Sequence, residues 1–146
     1  MSGSEWSSAR TGTTTTRSAG RAGEDRALAH LQDAGLSLVA RNFKSPGRGG
    51  GEVDLIMREP DGTLVFVEVR QRSHMAFGGA AASVGWAKQR RVIFAARHYL
   101  QRLRQLPPCR FDVVALQSQR AEHGAEPHGS PEIQWIRGAF DATGYS

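Results

Sequence analysis

The chain carries one cysteine, Cys109, in 146 residues. A single thiol cannot close an internal disulfide, and its scarcity fits a reducing compartment. Cys109 follows two prolines and has no base that the sequence can assign to it, so a cysteine nucleophile is not expected. Long apolar runs are also missing. No stretch approaches the roughly 20 residues that span a bilayer, and the opening MSGSEWSSARTGTTTTRSAG has no apolar segment of the secretory kind. A cytoplasmic protein with no membrane partner is the expectation. The histidines, His30, His74, His98, His123 and His128, never pair at helical spacing or with a cysteine, which leaves no zinc-type site. The glycine-rich KSPGRGG at 44–50 has no following Lys-Ser/Thr and opens no helix, so it is not a nucleotide phosphate loop. No internal repeat is present.

What is there suffices for one packed domain. Hydrophobic residues make up 39% of the chain, a share that supports a core. Lys and Arg number 19 against 14 acids, a net charge of +5. That balance favours a polyanionic partner, nucleic acid first. A well-solvated basic surface is the plainer alternative. Residues 1–20 are Ser, Thr, Gly and Arg with little to bury and read as a disordered arm. Residues 21–146 read as the single domain.

The most informative stretch is GEVDLIMREPDGTLVFVEVRQR, residues 51–72. Pro60 and Asp61 suit the centre of a type I turn, and Gly62 suits the left-handed residue after it. This predicts a three-residue hairpin with a bulge at the glycine. If Glu59 faces Thr63, each step inward pairs a lower residue with a higher one, and Asp54 falls opposite Glu68. Glu52, Asp54 and Ile56 share one face of the first arm; Leu64, Phe66, Glu68 and Arg70 share one face of the second. The other faces, Val53, Leu55, Met57, Val65, Val67 and Val69, are apolar, so the hairpin is expected to be covered on both sides, with acids at one end. Directly opposed carboxylates repel. Such a pair calls for a cation or a shared proton.

A helix is predicted over 22–34, with Ala27, Leu28, Leu31 and Ala34 as its stripe and Gly35 as its stop. Glu24 lies one turn before Leu28 and can point at whatever the helix packs on. Spacing alone favours a simpler role for it, a favourable charge at the helix N-terminus. Residues 36–43 read as a strand, and 44–50 as a turn in which Arg48 can reach a phosphate. After a loop at 73–85, a second helix is predicted over 86–106. Val92, Ala96, Tyr99, Leu103 and Leu106 form its buried stripe, and Arg90, Arg97, Gln101 and Arg104 its outer face. Lys88 and Arg91 sit at its start. These cations suit a nucleic-acid footprint and a solvated face equally. Residues 110–116 read as a fourth strand, 117–131 as a loop and 132–137 as a fifth strand at an edge. The expected fold is α/β, a mixed sheet between helices in the order α-β-β-β-α-β with an extra C-terminal strand.

Two carboxylates facing each other across a hairpin are the minimal protein contribution to a Mg²⁺ or Mn²⁺ site, since Mg²⁺ keeps several waters and takes other oxygens from its substrate. Asp54 and Glu68 supply that pair, and the Val69 carbonyl offers a third oxygen. Arg70 can lie near a bound phosphate, and Glu24 can act through a water. Metal-dependent phosphodiester hydrolysis uses such a set.

In order along the chain, Gly23-Glu24, Arg41-Asn42-Phe43, Gly51-Glu52-Val53-Asp54-Leu55-Ile56, Val65-Phe66-Val67-Glu68-Val69-Arg70-x-Arg72, Lys88-Gln89-Arg90-Arg91 and Arg110-Phe111-Asp112-Val113-Val114 resemble the YraN-like family. That family is similar to endonucleases of the PD-(D/E)xK type, including archaeal Holliday-junction resolvases. The resemblance covers roughly residues 20 to 117. It implies a restriction-endonuclease-like core, DNA as the nucleic acid, Asp54 and Glu68 as metal ligands, Glu24 as the helix acid and Arg70 in the place of the motif's lysine. Arginine departs from the nuclease pattern there, because a permanently protonated guanidinium cannot serve as general base.

Two functions follow. One is a Mg²⁺- or Mn²⁺-dependent DNA endonuclease for branched or damaged DNA. Its catalytic set is Glu24, Asp54, Glu68 and Arg70, its nucleic-acid contacts are Arg48, Arg72, Lys88, Arg90 and Arg91, and a homodimer would match two-fold junctions. The other is a catalytically silent nucleic-acid-binding or adaptor protein on the same fold. In a purely structural variant, the two acids would only pair with Arg70 or Arg72.

Overall fold

A computed structural model describes residues 15–47, 49–72, 84–117 and 132–142, with the backbone alone for 15–20, 72 and 132. Helix α1 runs over Thr15–Asp33. It starts well before residue 22, so residues 15–20 of the expected arm are helical. The reason lies in its buried line, Gly23, Ala27 and Leu31, which repeats every four residues. A Cβ on Gly23 would lie 2.4 Å from the Gln71 side-chain nitrogen, so the helix is seated directly on the sheet. Once anchored there, its first turns propagate at low cost despite weak propensity. Ala34 is exposed and not part of the stripe. Gly35, at φ 106°, turns the chain, and the Leu36 N–H donates to the Leu31 carbonyl at 3.1 Å.

The sheet has five strands in the order β1-β2-β3-β4-β5. These are β1 (Ser37–Lys44), β2 (Glu52–Arg58), β3 (Leu64–Arg72), β4 (Cys109–Gln117) and β5 (Glu132–Phe140). The first three pair antiparallel, β3 and β4 pair parallel, and β5 returns antiparallel at the edge. Helix α2 (Trp86–Leu100) makes the parallel crossover. The architecture is the expected α/β mixed sheet, α-β-β-β-α-β with a further C-terminal strand. The expected loop at 73–85 lies outside the described residues up to 83.

The hairpin turn follows its predicted chemistry. The Glu59 N–H donates to Thr63, the Gly62 N–H donates to Glu59, and Gly62 sits at φ 96°. The register is the expected one at Leu55–Val67, Ile56–Phe66, Met57–Val65 and Arg58–Leu64. Asp54 and Glu68 stand one step beyond the last of these pairs.

The core has two halves, one on each face of the sheet. Ala27 and Leu31 of α1 pack with Leu55, Met57, Val65, Val67, Val114 and Leu116. On the other face, Val92, Ile93, Ala95 and Ala96 of α2 pack with Ile56, Leu64, Phe66 and Phe111. Val53 was expected to share a face with Leu55 and Met57, which pack on α1, but joins the α2 side. Its strand end has left the β2–β3 ladder and is drawn against α2, where a Cβ on Gly51 would lie 1.9 Å from the Arg91 carbonyl. Strict alternation fails where the ladder ends.

Helix α2 stops at Leu100, short of the expected residue 106, and Leu106 is 75% exposed. The chain tightens as Arg102 and Leu103 donate to the Tyr99 and Leu100 carbonyls three residues back. The Pro108 carbonyl must accept from the Leu64 N–H, at 2.8 Å, where the β3–β4 pairing starts. Residues 101–108 are therefore committed to the return to the sheet. No helix among the described residues is long and apolar enough to cross a membrane.

Candidate functional site

Beyond the β2–β3 ladder two carboxyls meet inside the protein. Asp54 is 8% exposed and Glu68 only 2%. An Asp54 Oδ2 accepts a hydrogen bond from the Val69 N–H at 2.9 Å, which fixes the aspartate against β3. Oε1 of Glu68 is buried with no hydrogen-bond partner. On its other oxygen, Oε2, Glu68 meets Lys88 Nζ at 3.6 Å.

The electrostatics follow from burial. Desolvation pushes the Glu68 carboxyl up to about 8, with the Asp54 charge adding to the rise and Lys88 and Arg70 opposing it. Asp54 is also raised, first by desolvation and then by Glu24 and Glu52, while the Val69 N–H and Lys88 pull it down. A pair raised in this way retains a proton at neutral pH. A divalent cation is the other means of relieving the same repulsion, and hard carboxylate oxygens, one of them without a partner, suit one.

Glu24 is brought to this end of the sheet, but not as a charge at a helix terminus. It lies in the middle of α1, and its Oε1 accepts from Asn42 Nδ2 at 3.2 Å and Arg41 Nη2 at 3.4 Å. Arg41 also reaches Asp25 at 2.9 Å. Asn42 holds the left-handed conformation, φ 51°, that asparagine tolerates better than most residues. The Arg41-Asn42 pair thus holds Glu24 on the Asp54 side. Glu24 does not complete a cage: among the described residues, no group of three or more His, Cys, Asp or Glu could hold a metal ion.

Arg70 is half-buried, its Nε lacks a hydrogen-bond partner, and its charge acts on Glu68. Lys88 behaves unlike the surface contact expected of it. It stands four residues before Val92 on the sheet-facing side of α2 and lays its ammonium against Glu68. That spacing is the signal that would have placed it there. Arg91 pairs with Glu52 at 3.3 Å, and Arg90 stacks over the Trp86 ring at 4.8 Å. Arg48 lies outside the described residues, as does the Arg72 side chain.

Against this geometry stand the comparisons with known proteins. Residues 23–116 match the sequence profile described as "Uncharacterised protein family UPF0102". The chain belongs to the UPF0102 family. Its relatives include a UPF0102 protein of Acidovorax sp. (strain JS42), 62% identical over 129 residues, covering 88% of this chain and 89% of that one. Another is a UPF0102 protein of Verminephrobacter eiseniae (strain EF01-2), 64% identical over 123 residues, covering 84% and 78%. A third, from Paracidovorax citrulli (strain AAC00-1), is 60% identical over 129 residues, covering 88% and 87%. UPF0102 membership agrees with the YraN-like resemblance, and the matched span holds Glu24, Asp54, Glu68, Arg70 and Lys88.

Proposed function

We propose that the chain is a metal-dependent endonuclease that hydrolyses DNA phosphodiester bonds in branched or damaged DNA. The observation that carries this is the buried Asp54–Glu68 pair with Lys88 at 3.6 Å on one side and Arg70 near by. The resemblance to PD-(D/E)xK nucleases supports it. Asp54 and Glu68 would hold Mg²⁺ or Mn²⁺, which would polarise the scissile phosphate and make water a better nucleophile. Arg70 balances negative charge on the phosphate. Arg41 and Asn42 keep Glu24 turned toward Asp54. Lys88 adds an ammonium where arginine stands in the lysine position: Nζ lies beside Glu68, where it would orient the attacking water and offset charge on the phosphate. In the overall step the water oxygen bonds to phosphorus, one bridging P–O bond breaks, and the water's proton ends on the leaving oxygen.

A metal-titrated cleavage panel over linear, flapped and four-way-junction DNA tests this, with wild type beside Asp54→Ala. Cleavage that needs Mg²⁺ or Mn²⁺ and is lost in Asp54→Ala is expected. No cleavage of any form, together with no metal-dependent change in melting temperature, would sink the nuclease reading.

The departure at Arg70 favours a second reading, a catalytically silent nucleic-acid binder. It expects salt-sensitive DNA binding that survives loss of Asp54 and Glu68. Cleavage by the wild type but not by Glu68→Ala protein would dismiss it.

A further inference from the structure

The outer side of α2 carries more than charge. Arg90, Arg91 and Arg97 line a cavity of about 400 Å³ together with Ile93 and Phe94, and Gly49 of the β1–β2 turn closes one side. Phe94 is 45% exposed, its ring tilted against His98 at 5.8 Å. Trp86, about two turns before Phe94, is 61% exposed beneath the Arg90 guanidinium. One lining residue leads toward the carboxylate site: Arg91 pairs with Glu52, two positions before Asp54 on β2.

This combination selects among polyanions. Double-helical DNA offers phosphates but keeps its base faces stacked inside, so it can satisfy the arginines and leaves Phe94 in water. An acidic peptide offers carboxylates and little flat apolar surface. An unpaired strand offers both, phosphates for guanidinia and a base face for an exposed ring.

We propose that this face of α2 binds an unpaired nucleic-acid segment, with phosphates on Arg90, Arg91 and Arg97 and a base stacked on Phe94, beside the Asp54–Glu68 pair. The ligand class rests on the nucleic-acid part of the function proposed above, whereas cleavage does not enter. The segment would lie on the strand that runs into the carboxylate site, so the preferred substrate would be DNA with an unpaired arm next to the scissile bond.

The test is fluorescence anisotropy with the full-length protein in chelator, using labelled oligothymidine and a blunt duplex of equal length, with polyglutamate as competitor. Oligothymidine is expected to bind at least about tenfold tighter than the duplex. Phe94→Ala is expected to weaken oligothymidine at least about fivefold, as loss of one stacked base should, and to change the duplex less than about twofold. Arg97→Ala should weaken both and flatten the salt dependence by about one phosphate contact. Arg58→Ala, a charge-matched change at an exposed position beside the hairpin turn, should leave both unchanged. Melting temperatures confirm that the variants are folded. Equal affinity for both DNA forms, or a Phe94→Ala protein that binds oligothymidine as the wild type does, overturns this inference and leaves the nuclease reading standing. Polyglutamate competing as well as oligothymidine overturns it in favour of an acidic protein partner. Failure to bind any nucleic acid overturns both.

Discussion

Lys88 Nζ lies 3.6 Å from Glu68 Oε2, placing a cation from the crossover helix against the more buried carboxyl of the Asp54–Glu68 pair. The contact joins residues that the sequence keeps apart, and it divides the work of the site. Arg70 brings a planar guanidinium from β3, whereas Lys88 brings a compact ammonium from α2. Replacing Lys88 by alanine is expected to lower the cleavage rate by about 10²-fold or more, in the range of one lost electrostatic stabiliser of the transition state. Binding of oligonucleotide in chelator should fall far less. Arg70→Lys should keep or raise the rate. Single-turnover cleavage beside anisotropy titrations checks all of these, and a Lys88→Ala enzyme of undiminished rate would remove Lys88 from the chemistry.

Metal binding has a readout without DNA. Mg²⁺ or Mn²⁺ is expected to raise the melting temperature of the wild type, because an ion that binds only the folded chain stabilises it by mass action. Asp54→Ala should lose the rise. A thermal scan over metal concentration checks this, and an equal rise in both proteins would place the ion elsewhere.

The raised carboxyls set a pH dependence in metal-free protein. Glu68 moves from its ordinary value to about 8 when folded, so between those limits the folded chain holds more protons than the unfolded one. Stability is then greatest at the acid end of this window and falls as pH rises through about 8. Asp54, also raised, acts in the same direction. Melting curves in chelator across this window should show the wild type losing stability with pH and Glu68→Gln losing much less. Parallel curves would mean that the pair is not desolvated as the geometry implies.

Asp112 offers a test of the fold away from the carboxylate pair. It is fully buried and accepts from Arg110 Nε and Nη2, Trp135 Nε1 and the Gly138 N–H, tying β5 to the sheet, while Arg110 also bridges to Glu59 at the hairpin turn. Asp112→Ala leaves that guanidinium with Glu59 alone and the Trp135 and Gly138 N–H groups without this acceptor, and should cost about 3–5 kcal/mol, as breaking a buried charge pair does. Urea denaturation measures it. A loss under about 1 kcal/mol would mean that water replaces the carboxylate at little cost.

Most of the hairpin is legible in the sequence. Pro60, Asp61 and Gly62 specify one turn, the turn specifies the register, and the register brings Asp54 to Glu68. Turn chemistry is local, so local sequence is enough. Glu24 was legible as a residue able to face the site, but not its hold by Arg41 and Asn42, because a left-handed Asn42 inside a strand has no periodic signature. The end of α2 was misread because apolar spacing continues to Leu106, while the tie from Leu64 to Pro108 that ends the helix joins distant positions. Val53 changed sides because alternation presumes a continuous ladder, and the ladder stops at Leu55. Lys88 was readable from its place on the buried stripe, but a lysine among arginines looks like solvated charge.

At Gly51, the start of β2 and the backbone of α2 touch with no side chain between them, since even a Cβ would fall 1.9 Å from the Arg91 carbonyl. Side chains cushion displacement by changing rotamer, and a backbone contact has no such slack. The joint therefore has no slack: a displacement of α2 at Arg91 is passed directly to the short segment that carries Asp54. Helix and carboxylate-bearing strand end thus form one rigid part, with Gly51 as its rivet.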